Sequence, residues 1–235
     1  DDLSAKIVRE QSGVEIKVGS DMAFKLPYDR TKYKIGNEKI NIGINISSLL
    51  WDSQWAKENH FGLTVDYEQY HVKILEWLME QSKYKIHIIP HVIDFEQPDA
   101  RENDYRVCLQ LKKKYGDRIE IAPPFNTPIE AKSYIANMNI FIGSRMHATI
   151  GAISSGVATI PFSYSRKFEG LFGNLDYPYV ISARKFSLEE ALEKSKLWIQ
   201  NYEKLKVCGQ KSVEESYTRL ELLENDIRCL LEKRK

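Results

Sequence analysis

Two spacings of apolar residues alternate along this chain. Short runs with strand character, "INIGINIS", "KIHIIP", "RIEIA", "NIFIG" and "VATIPFS", are separated by segments with helical spacing. Those segments lie around Tyr67 to Gln81, Asp104 to Tyr115 and Ile129 to Asn137, with a small-residue run after Ser144. Strands alternating with amphipathic helices predict βαβ units, and so a parallel sheet with helices on both faces. The expected fold class is α/β, with a Rossmann-like domain over residues 41–186. Ahead of it, "DDLSAKIVREQSG" reads as a helix ended by Gly13, "VEIKVGSD" as a strand running into Asp21, and "LPYDRTKYKIGNEK" as a connector. Residues 187–235 read as C-terminal helices. Ser187 and Glu190 form a capping box, and a second helix is expected after Gly209, with Val213, Tyr217, Leu220, Ile227 and Leu230 on one face.

Ligands of open α/β sheets collect beyond the carboxyl ends of the strands. "NIFIG" and "VATIPFS" both end there. The stretch "IGSRMHATIGAISSGVATIPFSYSRKFEG", Ile142 to Gly170, places Arg145 and His147 at the start of one helix and Lys167 after the next strand. With Ser144 as the cap, Arg145, Met146 and His147 would occupy a first turn whose N–H groups lack partners and whose dipole favours negative charge. Arg145 adds a planar fork and Lys167 a compact charge. Ala148, Gly151 and Ala152 are packing residues that let the helix lie close to the sheet. Taken singly, each charged residue is more often a solvated surface group. A cation in a first helical turn is also unfavourable unless a ligand or a carboxylate such as Glu169 offsets it. Convergence at one end of the sheet is what points to an anion site.

Composition narrows the choice of partners. The 235 residues are 43% hydrophobic and 29% charged, with a formal net charge of +1. That is enough apolar content for a core, and it lacks the basic surface expected of a nucleic-acid binder. No apolar run approaches the ~20 residues of a membrane span. Cys108, Cys208 and Cys229 are widely separated, odd in number and without C-x-x-C or Cys/His ligand spacing, which argues for a reducing compartment and against zinc. Asp94 and Glu96 in "HVIDFEQPD" share an acidic loop with Asp99, Glu102 and Asp104, expected to be solvated surface. His91 ends a strand on the ligand side, either lining the cleft or serving structure, while His60, His71 and His87 are expected to be structural. Trp51 and Trp55 either stack on a sugar or pack under a loop. The chain opens without Met and is expected to be part of a longer protein.

The Ile142–Gly170 stretch resembles the C-terminal signature of the polysaccharide pyruvyl transferase family: a strand, G-x-R-hydrophobic-H-A, S-G-V, a second strand and Y-S-x-K. "VGSDMAFKL" resembles the family's strand-Asp-x-Ala-Phe segment, "INIGINIS" its first C-domain strand, and "IPHV" a strand end bearing His91. The resemblance runs from Asp1 to about Gly173, and most of its specificity lies between Gly143 and Lys167. It implies two Rossmann-like domains facing across a cleft, as in GT-B glycosyltransferases. Residues 1–40 would then be the end of the first domain and a connector, and residues 41–186 the donor-binding half.

The implied donor is phosphoenolpyruvate, whose phosphate and carboxylate match Arg145, Lys167 and the helix amides. The implied acceptor is a glycan or lipid-linked sugar, the product a pyruvate ketal, and no cofactor is implied. Proton delivery to the methylene carbon needs a general acid, for which His147 is the nearest candidate. A helix N-terminus and two cations would keep its free imidazole neutral until the anionic donor binds. Ser144, Ser163, Ser165 and His91 complete the expected substrate contacts. The expected location is cytoplasmic, with peripheral attachment to the inner membrane face as a variant. Two other readings stay open: a GT-B glycosyltransferase using a nucleotide sugar, and a non-catalytic module that binds an anion or a partner chain.

Overall fold

Among the described residues six parallel strands form one sheet: β1 (Ile40–Asn45), β2 (Tyr84–Ile88), β3 (Glu120–Ile121), β4 (Ile140–Gly143), β5 (Ala158–Ser163) and β6 (Ile181–Ser182). Their order is β3-β2-β1-β4-β5-β6. The computed structural model describes residues 2–52 and 54–232. The helices are α1 (Asp2–Ser12), α2 (Ser48–Trp51), α3 (Gln54–Lys57), α4 (Tyr67–Met79), α5 (Asp104–Tyr115), α6 (Pro128–Ile135), α7 (Met146–Ser154), α8 (Arg166–Asn174), α9 (Leu188–Gln200) and α10 (Tyr202–Glu232). The expected α/β class, the parallel sheet and the C-terminal helices are all present.

The strand period sorts side chains between two cores. Ile42, Ile44, Ile140 and Ile142 face a core shared with Ile74, Leu75, Val107 and Leu111 of α4 and α5. Phe141 points to the opposite side and packs with Met138, Ala148 and Ala152, under α6 and α7. Each fully buried aliphatic side chain of this kind contributes about 1.5–3 kcal/mol. Gly43 lies on the Phe141 side, where a Cβ would come within 2.8–2.9 Å of Ile89, Met138 and Phe141 side-chain atoms. Glycine at that position lets β4 and its helices close onto β1.

Local chemistry sets the helix starts. Asp66 accepts from the Gln69 amide at 2.9 Å, Thr127 precedes Pro128 at the head of α6, and the Ser187–Glu190 capping box forms in both directions. Two expectations need correction. Val14–Ser20, expected as a strand, has no sheet partner among the described residues, so its backbone gains no ladder. The last helix begins at Tyr202 and runs through Gly209 rather than after it. Its buried stripe is Leu205, Gly209, Ser212, Ser216 and Leu220, while Ile227 and Leu230 are exposed. Small residues form that stripe because the helix lies against its neighbour: a Cβ on Gly209 would sit 3.1 Å from Ile153.

The segment between α1 and β1 packs back on the domain. It contains two single turns of 3-10 helix, Met22–Lys25 and Arg30–Lys32, each started by an aspartate that accepts from an amide two residues on. Arg30 donates to the Ala136 and Ser155 carbonyls, and Asp29 N–H donates to Ser133 Oγ at 2.9 Å. Among the described residues no helix is long and apolar enough to cross a membrane.

Candidate active site

The chain leaves β1 for β2 and β3 and then returns to β4 on the other side of β1, so the sheet changes direction between β1 and β4. In such folds the crevice at that point is the ligand position. Asn45, the last residue of β1, is fully buried there. Its side chain accepts from the Arg145 amide at 2.9 Å and donates to the Ile89 carbonyl at 3.0 Å. One carboxamide thus ties together the carboxyl ends of β1, β2 and β4.

Arg145, not Ser144, is the N-cap of α7, with φ −96° and ψ 124° and no side-chain cap. The Ser144 hydroxyl is buried and accepts from Tyr67 Oη at 2.7 Å. Arg145 itself is 8% exposed. Its Nη2 donates to Asp104 Oδ1 at 2.8 Å and its Nε lies 3.3 Å from both Asp104 oxygens, while Nη1 is 3.6 Å from Glu102. Burial alone would discourage its charge, but the Asp104 carboxylate outweighs this and holds the guanidinium protonated. Asp104 is completely buried, contrary to the expected solvated acidic loop. It heads α5 and accepts from the amides of Ser48 (3.0 Å) and Val92 (3.1 Å) as well as from Arg145. A charge with that many donors can be buried, which its acidic sequence neighbours conceal.

His147, in the first turn of α7, is exposed, with Nε2 3.5 Å from Oδ2 of Asp21. Asp21 starts the Met22–Lys25 turn, accepting from the Ala23 amide at 2.9 Å. Interaction with Asp21 raises the pKa of His147 above its ordinary value, against opposing effects of burial and the Lys167 charge, and the Asp21 carboxyl is correspondingly held low. The expectation of a neutral free imidazole therefore gives way: a carboxylate from the connecting segment favours the imidazolium before any ligand arrives. Asp21 was in view within "VGSDMAFKL", but nothing in its local spacing connects it to a helix so distant in sequence.

The Asp21–His147 pair stands between two cavities. His147 lines one of about 320 Å³ with His91, Lys132, Ala23 and Leu26. Asp21 lines the other, of about 440 Å³, with Lys17, Ser20, Met146 and Lys167. Lys167 is exposed near the start of α8, close enough to His147 to oppose its protonation. His91 is half-buried, and burial lowers its pKa to about 4, so it is neutral. The Ser163 hydroxyl is turned inward to the Ser165 carbonyl at 3.3 Å, and Ser165 is the half-buried N-cap of α8. The structure thus gathers His147, His91 and Lys167 around Asp21, and sets Arg145 deeper, against Asp104. Among the described residues no group of three or more His, Cys, Asp or Glu is placed to hold a metal ion. Trp51 packs edge-on against Tyr67 and His71, and the side chain of Trp55 lies outside the described residues. His71 and His87 are buried and bonded to Tyr67 and Tyr134.

The sequence profile of the polysaccharide pyruvyl transferase family matches residues 1–166, which include Asp21, His91, Arg145 and His147. The chain belongs to this family. The match stops one residue short of Lys167. No curated protein sequence matches this pyruvyl transferase family member. Among solved structures, sucrose-phosphate synthase from Thermosynechococcus elongatus aligns with 98% of the chain and 57% of its own, at 11% identity and a TM-score of 0.57. WaaG, a glycosyltransferase involved in lipopolysaccharide biosynthesis, aligns over 92% and 47%, at 13% identity and a TM-score of 0.49. UDP-GlcNAc 2-epimerase from Neisseria meningitidis aligns over 83% and 45%, at 10% identity and a TM-score of 0.49. The chain spans about half the length of these structures. At 11% identity the likeness to sucrose-phosphate synthase is one of fold alone, and it agrees with a Rossmann-like domain of the GT-B type.

Proposed function

We propose that this chain is the donor-binding half of an enzyme that transfers a pyruvyl group from phosphoenolpyruvate to a sugar of a cell-surface glycan, forming a pyruvate ketal. The observation that carries this reading is the Asp21–His147 pair, an imidazole biased toward its charged form at the mouth of two cavities in a member of the pyruvyl transferase family. Two sugar hydroxyls and phosphoenolpyruvate become a ketal and inorganic phosphate. His147 gives its proton to the methylene carbon as the first hydroxyl bonds to the neighbouring carbon. The bond to phosphate oxygen then breaks, and the second hydroxyl takes its place. One hydroxyl proton restores the imidazolium and the other leaves with phosphate.

Chemistry of this kind needs an acid that is charged near neutral pH, which is what a carboxylate partner supplies to a histidine. Lys167 and the first-turn amides of α7 offset the donor's negative charge. Arg145 presents its Nη1 edge, with Glu102 the group a donor carboxylate would displace. The Ser144 and Ser163 hydroxyls are buried and bonded to Tyr67 and the Ser165 carbonyl, which leaves Ser165 as the serine proposed to meet the donor, and His91 walls the His147 cavity as a neutral base. The reading places the reaction in the cytoplasm. Calorimetric titration of the full-length protein with phosphoenolpyruvate and with UDP-sugars tests it: saturable binding of phosphoenolpyruvate alone is expected, and binding of a UDP-sugar in its place would reassign the site to glycosyl transfer.

A further inference from the structure

Lys132, in α6, is 2% exposed and takes no part in the mechanism above. Its Nζ donates to the carbonyls of Leu26 at 2.7 Å and Phe24 at 3.2 Å, and lies 5.2 Å from the centre of the Tyr28 ring. Those carbonyls belong to the end of the single turn that Asp21 begins. The lysine stem crosses α7 at Gly151, where a Cβ would be 3.7 Å from Lys132 Cγ, and Gly151 stands one helical turn after His147. Lys132 therefore touches both halves of the acid pair: it caps the turn that carries Asp21 and rests on the helix that carries His147.

A single 3-10 turn has few internal hydrogen bonds to hold its aspartate in place. Burying a lysine without a carboxylate partner is costly, and it lowers the Lys132 pKa to about 8. A side chain that only filled space here could be apolar. We infer that Lys132 is a positioning residue, which locks the Met22–Lys25 turn so that the Asp21 carboxylate stays against His147. The catalytic meaning of this inference rests on the proposed pyruvyl transfer, but the geometry it asserts does not.

The test is the titration of His147 in the isolated full chain, followed by NMR of its imidazole without any donor. The charged and titratable groups around this ring are Asp21, Lys167, the neutral His91 and Lys132 itself, which lines the same cavity; loss of the Lys132 charge alone would raise the midpoint, so a fall in Lys132→Met reports displacement of Asp21. In Asp21→Asn the midpoint should fall to or below the ordinary histidine value. Lys132→Met should fold and move the midpoint in the same direction, whereas Lys132→Arg, which keeps charge and donors, should keep it near that of the unsubstituted protein. Ser133→Ala, which removes a different tie to the same segment, should leave the midpoint where it is. If Lys132→Met does not fold, Lys132→Gln is read in its place, with a smaller fall expected. A folded Lys132→Met or Lys132→Gln protein with an unchanged midpoint overturns the positioning role. An unchanged midpoint in Asp21→Asn overturns the pair itself, and failure of phosphoenolpyruvate binding with these shifts intact overturns only the assigned reaction.

Discussion

The Asp21 carboxylate lies 3.5 Å from the Nε2 of His147, joining the segment before the sheet to the first turn of α7. The pair proposed as the acid is thus built from two parts of the chain that the fold alone brings together. Each holds the other charged: the imidazolium lowers the carboxyl pKa, and the carboxylate raises that of the ring.

The pH dependence of turnover follows from this. An imidazolium acid is active below its pKa and loses its proton as pH rises through it, so the alkaline limb of kcat should lie above the ordinary histidine value. Asp21→Asn should move that limb to lower pH, and His147→Gln should cost about 10² to 10⁴-fold in kcat with much of donor binding retained. Single-turnover rates across pH measure both. A His147→Gln enzyme with normal turnover would remove the histidine from the chemistry.

Asp104 and Arg145 should respond unequally to substitution. Asp104→Ala leaves a buried guanidinium without its carboxylate and strips the acceptor from the Ser48 and Val92 amides, which should cost about 3–5 kcal/mol. Arg145→Met removes the Nη2 and Nε donors from a carboxylate that still accepts from those amides and from Asn45 at 3.4 Å, and so should cost less. Urea denaturation of the two variants gives the comparison. Equal losses would show that the carboxylate depends on the arginine alone.

Much of this architecture was legible in the sequence, and the reasons differ by element. β1, β2, β4 and β5 announce themselves because strands buried on both faces are apolar runs, and Ser187–Glu190 because a capping box is a local pattern. The convergence of His147 and Lys167 followed from strand polarity. The burial of Asp104 depends on donors contributed by the segment after β2, by α2 and by the N-cap of α7, while the nearest acids in sequence, Asp99 and Glu102, are exposed. Asp21 and Lys132 gain their meaning from contacts with helices far along the chain, and periodicity carries no information about such pairings. Val14–Ser20 has the alternation of a strand, but alternation only describes one chain, and a strand requires a neighbour.

Acid should destabilise the fold through its interior histidines. Burial lowers the pKa of His71, His87 and His91 to about 4. Between that value and the ordinary one the unfolded chain binds more protons than the folded chain, so stability falls as pH falls across this window. A gap of this size corresponds to about 3 kcal/mol for a fully buried group such as His71 or His87. His147 acts oppositely: its raised pKa adds stability that is complete below the ordinary histidine value and lost as pH rises through the folded one. Denaturant unfolding from pH 7 to pH 4 should show proton uptake on unfolding, and His71→Phe should reduce it. A flat profile over that range would mean that these imidazoles are already charged in the fold.

Lys167 and Arg145 should separate when donor binding is measured. Lys167 is exposed at the head of α8 and lines the cavity that Asp21 also lines, so its charge can be given to a ligand without being taken from another group. Arg145 has its Nη2 and Nε committed to Asp104 and its Nη1 turned to Glu102, so a ligand gains from it only by competing with carboxylates already in place. In the full-length enzyme Lys167→Ala should therefore weaken phosphoenolpyruvate binding by the worth of one charged hydrogen bond, about 1.5–3 kcal/mol. Arg145→Met should weaken it less at equal folded fraction. Glu102→Gln frees the Nη1 edge, and it should tighten binding in the presence of Arg145 and have no effect in Arg145→Met, a double-mutant cycle that isolates the competition. Salt should reduce the Lys167 contribution more than that of the buried arginine, because exposed charges are the more strongly screened. If Arg145→Met abolished binding while Lys167→Ala left it intact, the donor would have to lie over α5 and Asp104 rather than between Asp21 and α8.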